Sequence, residues 1–136
     1  MIQRAELTAS ARSYLRAARL LNRRSSSSPD ASAYLCGYAV EIALKANICT
    51  NLGWTGYPST NNEFKNYLSF KTHNLDVLLH LSSVEARIKT SASLLADWSV
   101  VQKWNPEQRY SPVGTRTATE AKDMIEATTR LLGDLL

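Results

Sequence analysis

Helix breakers are scarce in this chain. Its 136 residues include five Gly and four Pro, and six of these nine fall between positions 53 and 114. Two long stretches on either side are nearly free of them, which favours helices. Cysteine is almost absent too. Cys36 and Cys49 lie 13 residues apart inside one helical pattern, so that helix holds them about 20 Å apart. A disulfide needs Cα atoms within about 7 Å. Two reduced, buried thiols are expected, as in a cytoplasmic protein. No Gly-rich phosphate loop, no Cys/His cluster at metal spacing and no Ser-His-Asp elbow occurs, so neither cofactor nor metal is expected. No run of about 18 apolar residues is present, and no membrane partner is expected. The best candidate, Ala31 to Cys49, is interrupted by Glu41 and Lys45. No secretory signal is expected either, since residues 1–24 hold six arginines and no apolar stretch of the required kind. Internal repeats and strand-like alternation are also lacking.

The hydrophobic fraction is 44% and the charged fraction 21%, values typical of a globular protein. The length fits one domain over residues 1–136 that buries a core without staples. The net charge of +4 is uneven: six Arg and one Glu give residues 1–24 a charge of +5, leaving about −1 for the rest. Such a basic segment suits an acidic partner.

Leu7, Ala11, Tyr14, Ala18 and Leu21 recur at spacings of 4, 3, 4 and 3 and predict a first helix over about Ile2 to Arg24. Ser25 to Ser28 break it with a polar turn. Ser28, Pro29 and Asp30 mark the start of a second helix, from about Pro29 to Cys49. Leu35, Tyr38, Ile42 and Cys49, widened by Ala39, Ala43 and Ala46, are its apolar side, with Gly53 as its stop. The short connection predicts antiparallel packing of the two, with the second helix at the centre of a bundle. Residues 51–72 are irregular and long for a loop in a compact domain, which points to a functional loop or to a short helical turn near Glu63 to Leu68. A third helix is expected from about Asn74 to Val84, with Leu75, Leu78, Leu79 and Ser82 inward and Thr72 as its cap. A fourth is expected from about Ser91 to Trp104, with Leu94 or Leu95, Trp98 and Val101 inward. Residues 105–115 form a second loop. The last helix runs from about Thr117 to Leu135, with Ala118, Ala121, Ile125, Thr128, Leu132 and Leu135 inward. The fold class is therefore all-α.

Four groups of residues could carry chemistry. Arg12, Arg16, Arg19 and Arg23, spaced 4, 3 and 4, form a ridge suited to nucleic-acid phosphates or an acidic protein; equally, such a ridge is a solvated flank whose stems cover the core edge. Glu41 and Lys45 form an i, i+4 pair read as structural support, with Lys45 or a first-helix arginine as the partner of Glu41. His73 stands at a helix start, as a ligand contact or as a side chain bonded to a loop carbonyl, while His80 reads as ordinary surface. Arg109 and Tyr110, in Arg-Tyr-Ser-Pro, combine a charged fork with a stacking ring, suited to phosphate and base contacts or to anchoring the loop.

Ala-x-x-Tyr-Leu-x-Gly-Tyr-Ala-Val-Glu-Ile-Ala-Leu-Lys-Ala over Ala31 to Ala46, Thr-His-Asn-Leu at 72–75, and Trp104 followed by Arg109 to Pro112 together resemble the HEPN domain family. The resemblance implies an up-and-down bundle of four to five helices, usually a homodimer, in a prokaryotic cytoplasm. Family members often act beside a small nucleotidyltransferase as a toxin–antitoxin or defence pair. Many are metal-independent RNases that use an Arg followed by four to six residues and a His. Here that window holds Gly114, Thr115 and Arg116, with no imidazole to move a proton near neutral pH. A non-catalytic module is therefore expected, one that binds a nucleotide, RNA or a nucleotidyltransferase. The alternative is a divergent ribonuclease that draws Arg109, Tyr110 and His73 together across a dimer.

Overall fold

A helix that is apolar on every side belongs in the middle of a bundle, and residues 29–52 meet that condition. Six consecutive side chains, Ala39 to Leu44, are buried. The computed structural model describes residues 1–23 and 28–136. Among them are six α-helices: α1 (Arg4–Leu21), α2 (Pro29–Leu52), α3 (Leu75–Leu81), α4 (Glu85–Thr90), α5 (Ala92–Val101) and α6 (Ala118–Leu135). The fold is an all-α bundle centred on α2. Ser25 to Ser27 of the expected polar turn lie outside the described residues.

Hydrogen bonds at the helix ends give the directions. The Ser32 hydroxyl, early in α2, donates to the Ala18 carbonyl late in α1. The Arg4 N–H, at the start of α1, donates to the Thr55 carbonyl just beyond α2. The two helices are therefore antiparallel. The Asp30 carboxylate accepts from the N–H groups of Gly114 and Arg116 ahead of α6, and Asn47 donates to Leu135 at the far end, so α6 runs alongside α2 in the same sense. Arg130 of α6 clamps Asp97 of α5 through both carboxylate oxygens at 2.7–3.1 Å. Arg87 of α4 meets Asp134 near the end of α6, so α5 rises against α6. The four longer helices alternate in direction around one hydrophobic cluster that runs from Leu7 to Leu135.

Several details depart from the sequence reading. The chain has a small strand pair, β1 (Ile2–Gln3) and β2 (Gly56–Tyr57), antiparallel with Ile2 opposite Tyr57. Two residues are too few to show alternation. The third helix stops at Leu81, not Val84, because the Ser82 hydroxyl turns back onto the Leu79 carbonyl. A separate short α4 follows. Asn74, not Thr72, caps α3 by accepting from the Val77 N–H. Ser28 holds the cap position of α2, but its side chain makes no capping bond. On α1, Leu15 is buried while Tyr14 and Leu21 lie on the flank. On α6, Met124, Ala127 and Leu131 are buried and Ala118 is exposed. That helix packs against α1, α2 and α5, and three neighbours require a wider buried face than one stripe. Cys36 and Cys49 are free and buried.

Candidate functional site

Glu41 sits midway along the central helix and is 1% exposed. A carboxylate so placed needs partners, because burial without them is costly. Its Oε1 accepts from Lys45 Nζ at 2.6 Å, one helical turn on, and from His73 Nδ1 at 2.9 Å. His73 precedes α3 on an extended stretch, and its side chain is 65% exposed. Because a carboxylate only accepts, Nδ1 carries the hydrogen and Nε2 is the nitrogen left open. The second Glu41 oxygen, Oε2, is buried and has no hydrogen-bond partner.

Two cavities meet at this group. One, of about 360 Å³, is lined by Tyr34, Tyr38, Glu41, His73, Trp104 and Arg109, with Glu107 at its edge. The other, of about 400 Å³, shares Tyr38, Glu41 and His73 and adds Tyr14, Lys45 and Lys71. The rings form a continuous wall. Centroids are 5.0 Å apart for Tyr14 and Tyr38, 5.7 Å for Tyr34 and Trp104, and 6.4 Å for Tyr34 and Tyr38. Tyr34 and Tyr38 stack as i, i+4 neighbours on α2. Gly37 lets Trp104 close the wall: a Cβ there would stand 2.1 Å from the indole Cγ. The indole Nε1 is buried without a partner. Burial, then Tyr14, Glu41 and Tyr34, push the Tyr38 phenol pKa up, so it stays a proton donor at neutral pH.

Arg109 reaches this cleft from a 3-10 turn, Pro106–Tyr110, that follows α5. It donates to the Pro106 carbonyl at 3.2 Å, and its guanidinium lies 4.6 Å from the Tyr110 ring centre. Tyr110, then Tyr34, raise its pKa, which keeps it charged. Tyr110 is 72% exposed and lines neither cavity. Arg109 and His73 therefore share one cleft within a single chain, and Tyr110 stands outside it as a support for the guanidinium.

The arginine ridge lies elsewhere. Arg12, Arg16 and Arg19 edge a groove of about 420 Å³ between α1 and α6, on the opposite flank of α1 from Tyr14. Arg19 donates to Thr129 Oγ1 at 2.8 Å. All four ridge arginines are exposed, and among the described residues none pairs with a carboxylate. His80 is surface, near Glu85. Glu41 has Lys45 as a partner, as expected, but its other partner is His73 rather than a first-helix arginine, and His73 bonds this carboxylate rather than a loop carbonyl. The sequence pattern alone does not mark Glu41, Tyr34, Tyr38 and Trp104 as contact residues; the one signal it carries is an acid inside an apolar helix. Among the described residues no group of His, Cys, Asp and Glu could hold a metal, and no helix is long and apolar enough to cross a membrane. No family model matches the chain, and neither a curated protein nor a solved structure matches it.

Proposed function

We propose that this cleft is a nucleotide- or RNA-binding site in a module of the HEPN type. The observation that carries the reading is the convergence of Arg109 and the Glu41-anchored His73 on one cavity walled by tyrosines and Trp104. A guanidinium suits a phosphate, and aromatic faces suit a base. The test is titration of a labelled single-stranded oligoribonucleotide. Arg109→Ala is expected to weaken binding about tenfold or more, the worth of a charge-assisted hydrogen bond. Unchanged affinity in a folded variant would count against the reading.

One feature favours a second reading, a divergent metal-independent ribonuclease. Glu41 fixes the imidazole so that Nε2 is the basic nitrogen, and Arg109 shares its cavity. In this reading Nε2 takes the proton from a ribose 2′-hydroxyl as the oxygen attacks the adjacent phosphate, and the bond from phosphorus to the 5′-oxygen breaks to leave a 2′,3′-cyclic phosphate. The departing 5′-oxygen takes a proton from water, the imidazolium gives its proton back to solvent, and Arg109 neutralises the charge that develops. Purified protein incubated with total RNA decides it. Cleavage lost in His73→Ala supports it; no cleavage over a wide protein range retires it.

The arginine ridge is the part of this reading that faces a protein. Its unpaired charges suit an acidic surface, for which a small nucleotidyltransferase in a prokaryotic toxin–antitoxin or defence pair is the proposed source. The module is proposed to act in the cytoplasm as a homodimer.

A further inference from the structure

The cleft has two lobes, and the Glu41–His73 pair forms the sill between them. Tyr38, Glu41 and His73 line both. Each lobe has its own cation and its own ring. The first has Arg109 with Tyr34 and Trp104. The second has Lys71 with Tyr14. Lys71 donates to Asn61 Oδ1 at 2.7 Å, which leaves two ammonium hydrogens for a ligand. Lys45 cannot serve that role as freely, because Glu41 holds it at 2.6 Å. A single nucleotide needs one phosphate contact and one stacking face. This cleft duplicates both on either side of one imidazole.

Among the described residues, two of the five buried polar side-chain atoms without partners belong to side chains that line this cleft. Glu41 Oε2 is an unmet acceptor in a carboxylate that faces both lobes, and Trp104 Nε1 is an unmet donor in a ring of the first. Buried groups left like this are costly unless a ligand meets them.

Building on the nucleotide-binding reading, we propose that the ligand is a single-stranded segment two nucleotides long, with one nucleoside in each lobe and the linking phosphodiester over His73. Arg109 holds one side of the step and Lys71 the other. Glu41 positions the imidazole beneath the linkage through Nδ1.

Calorimetric titration of the intact protein with adenosine 5′-monophosphate and with the diribonucleotide ApA tests this. ApA is expected to bind about tenfold or more tightly than the mononucleotide, the worth of a second stacked base. Lys71→Ala, at an exposed position, is expected to shrink that ratio, whereas Arg109→Ala weakens both ligands. Equal affinity for the two ligands overturns the two-lobe proposal and leaves the nucleotide-binding reading standing. Binding of neither overturns both. A ratio that survives in Lys71→Ala removes the second lobe from the site.

Discussion

Gly37 sets the shape of the cleft through what it lacks. A glycine inside a helix costs about 1 kcal/mol relative to alanine, so Gly37→Ala would stabilise α2 if the space were open. It is filled: the indole ring atoms of Trp104 lie 2.1–2.4 Å from where a Cβ would be. Gly37→Ala is therefore expected to destabilise the protein by about 1–3 kcal/mol through overpacking, and to move Trp104 out of the ring wall. Urea unfolding followed by tryptophan fluorescence checks both effects. A stability equal to or above wild type would show that the indole does not rest on this helix. At this scale Cys36 is inert. Burial raises its thiol pKa to about 12, so thiol reagents should not find it in the folded protein.

The elements hold together through their ends as much as through their apolar faces. The strand pair and the 51–72 segment are tied down at Glu63, whose carboxylate accepts from the Met1 ammonium at 2.6 Å and from the Ser59 and Thr60 N–H groups. The ammonium first, then those N–H groups, lower its pKa from the ordinary 4.5 to about 2. A carboxyl whose pKa falls on folding stabilises the native state above its unfolded value, and that contribution disappears as pH drops through the folded value. The thermal midpoint of wild type is expected to exceed that of Glu63→Gln at pH 6, and the gap should close between about pH 4.5 and pH 2. A gap unchanged at pH 2 would mean the carboxylate is not the tether. This tether also marks the boundary of what the sequence discloses. The helices with strong spacing signals, α1, α2 and α6, were legible from residue pattern, as was the stop at Gly53, whose φ is 68°. The pairing of Ile2 with Tyr57 and the split of α3 from α4 were not, because each depends on one or two hydrogen bonds between distant or neighbouring loops. For the site, Arg109 and His73 were legible as residue types. Their convergence on Glu41 was not, since 32 residues separate His73 from that carboxylate and no periodicity links a loop to a helix.

At the scale of the whole molecule, the bundle keeps two chemistries on opposite flanks of α1. One flank presents Tyr14 to the aromatic cleft; the other presents Arg12, Arg16 and Arg19 to the groove beside α6. A ligand in the cleft and a protein on the ridge could then be held together without competing for surface. The cleft is the centre of the account, and its defining claim is that Arg109 and His73, delivered by different loops, act on one ligand. A double-mutant cycle on oligoribonucleotide affinity, using Arg109→Ala, His73→Ala and the pair, tests that claim most directly. Residues that share a ligand couple, whereas independent sites add. The expected result is a coupling energy of about 0.5 kcal/mol or more; strict additivity, or no loss in either single variant, would contradict it.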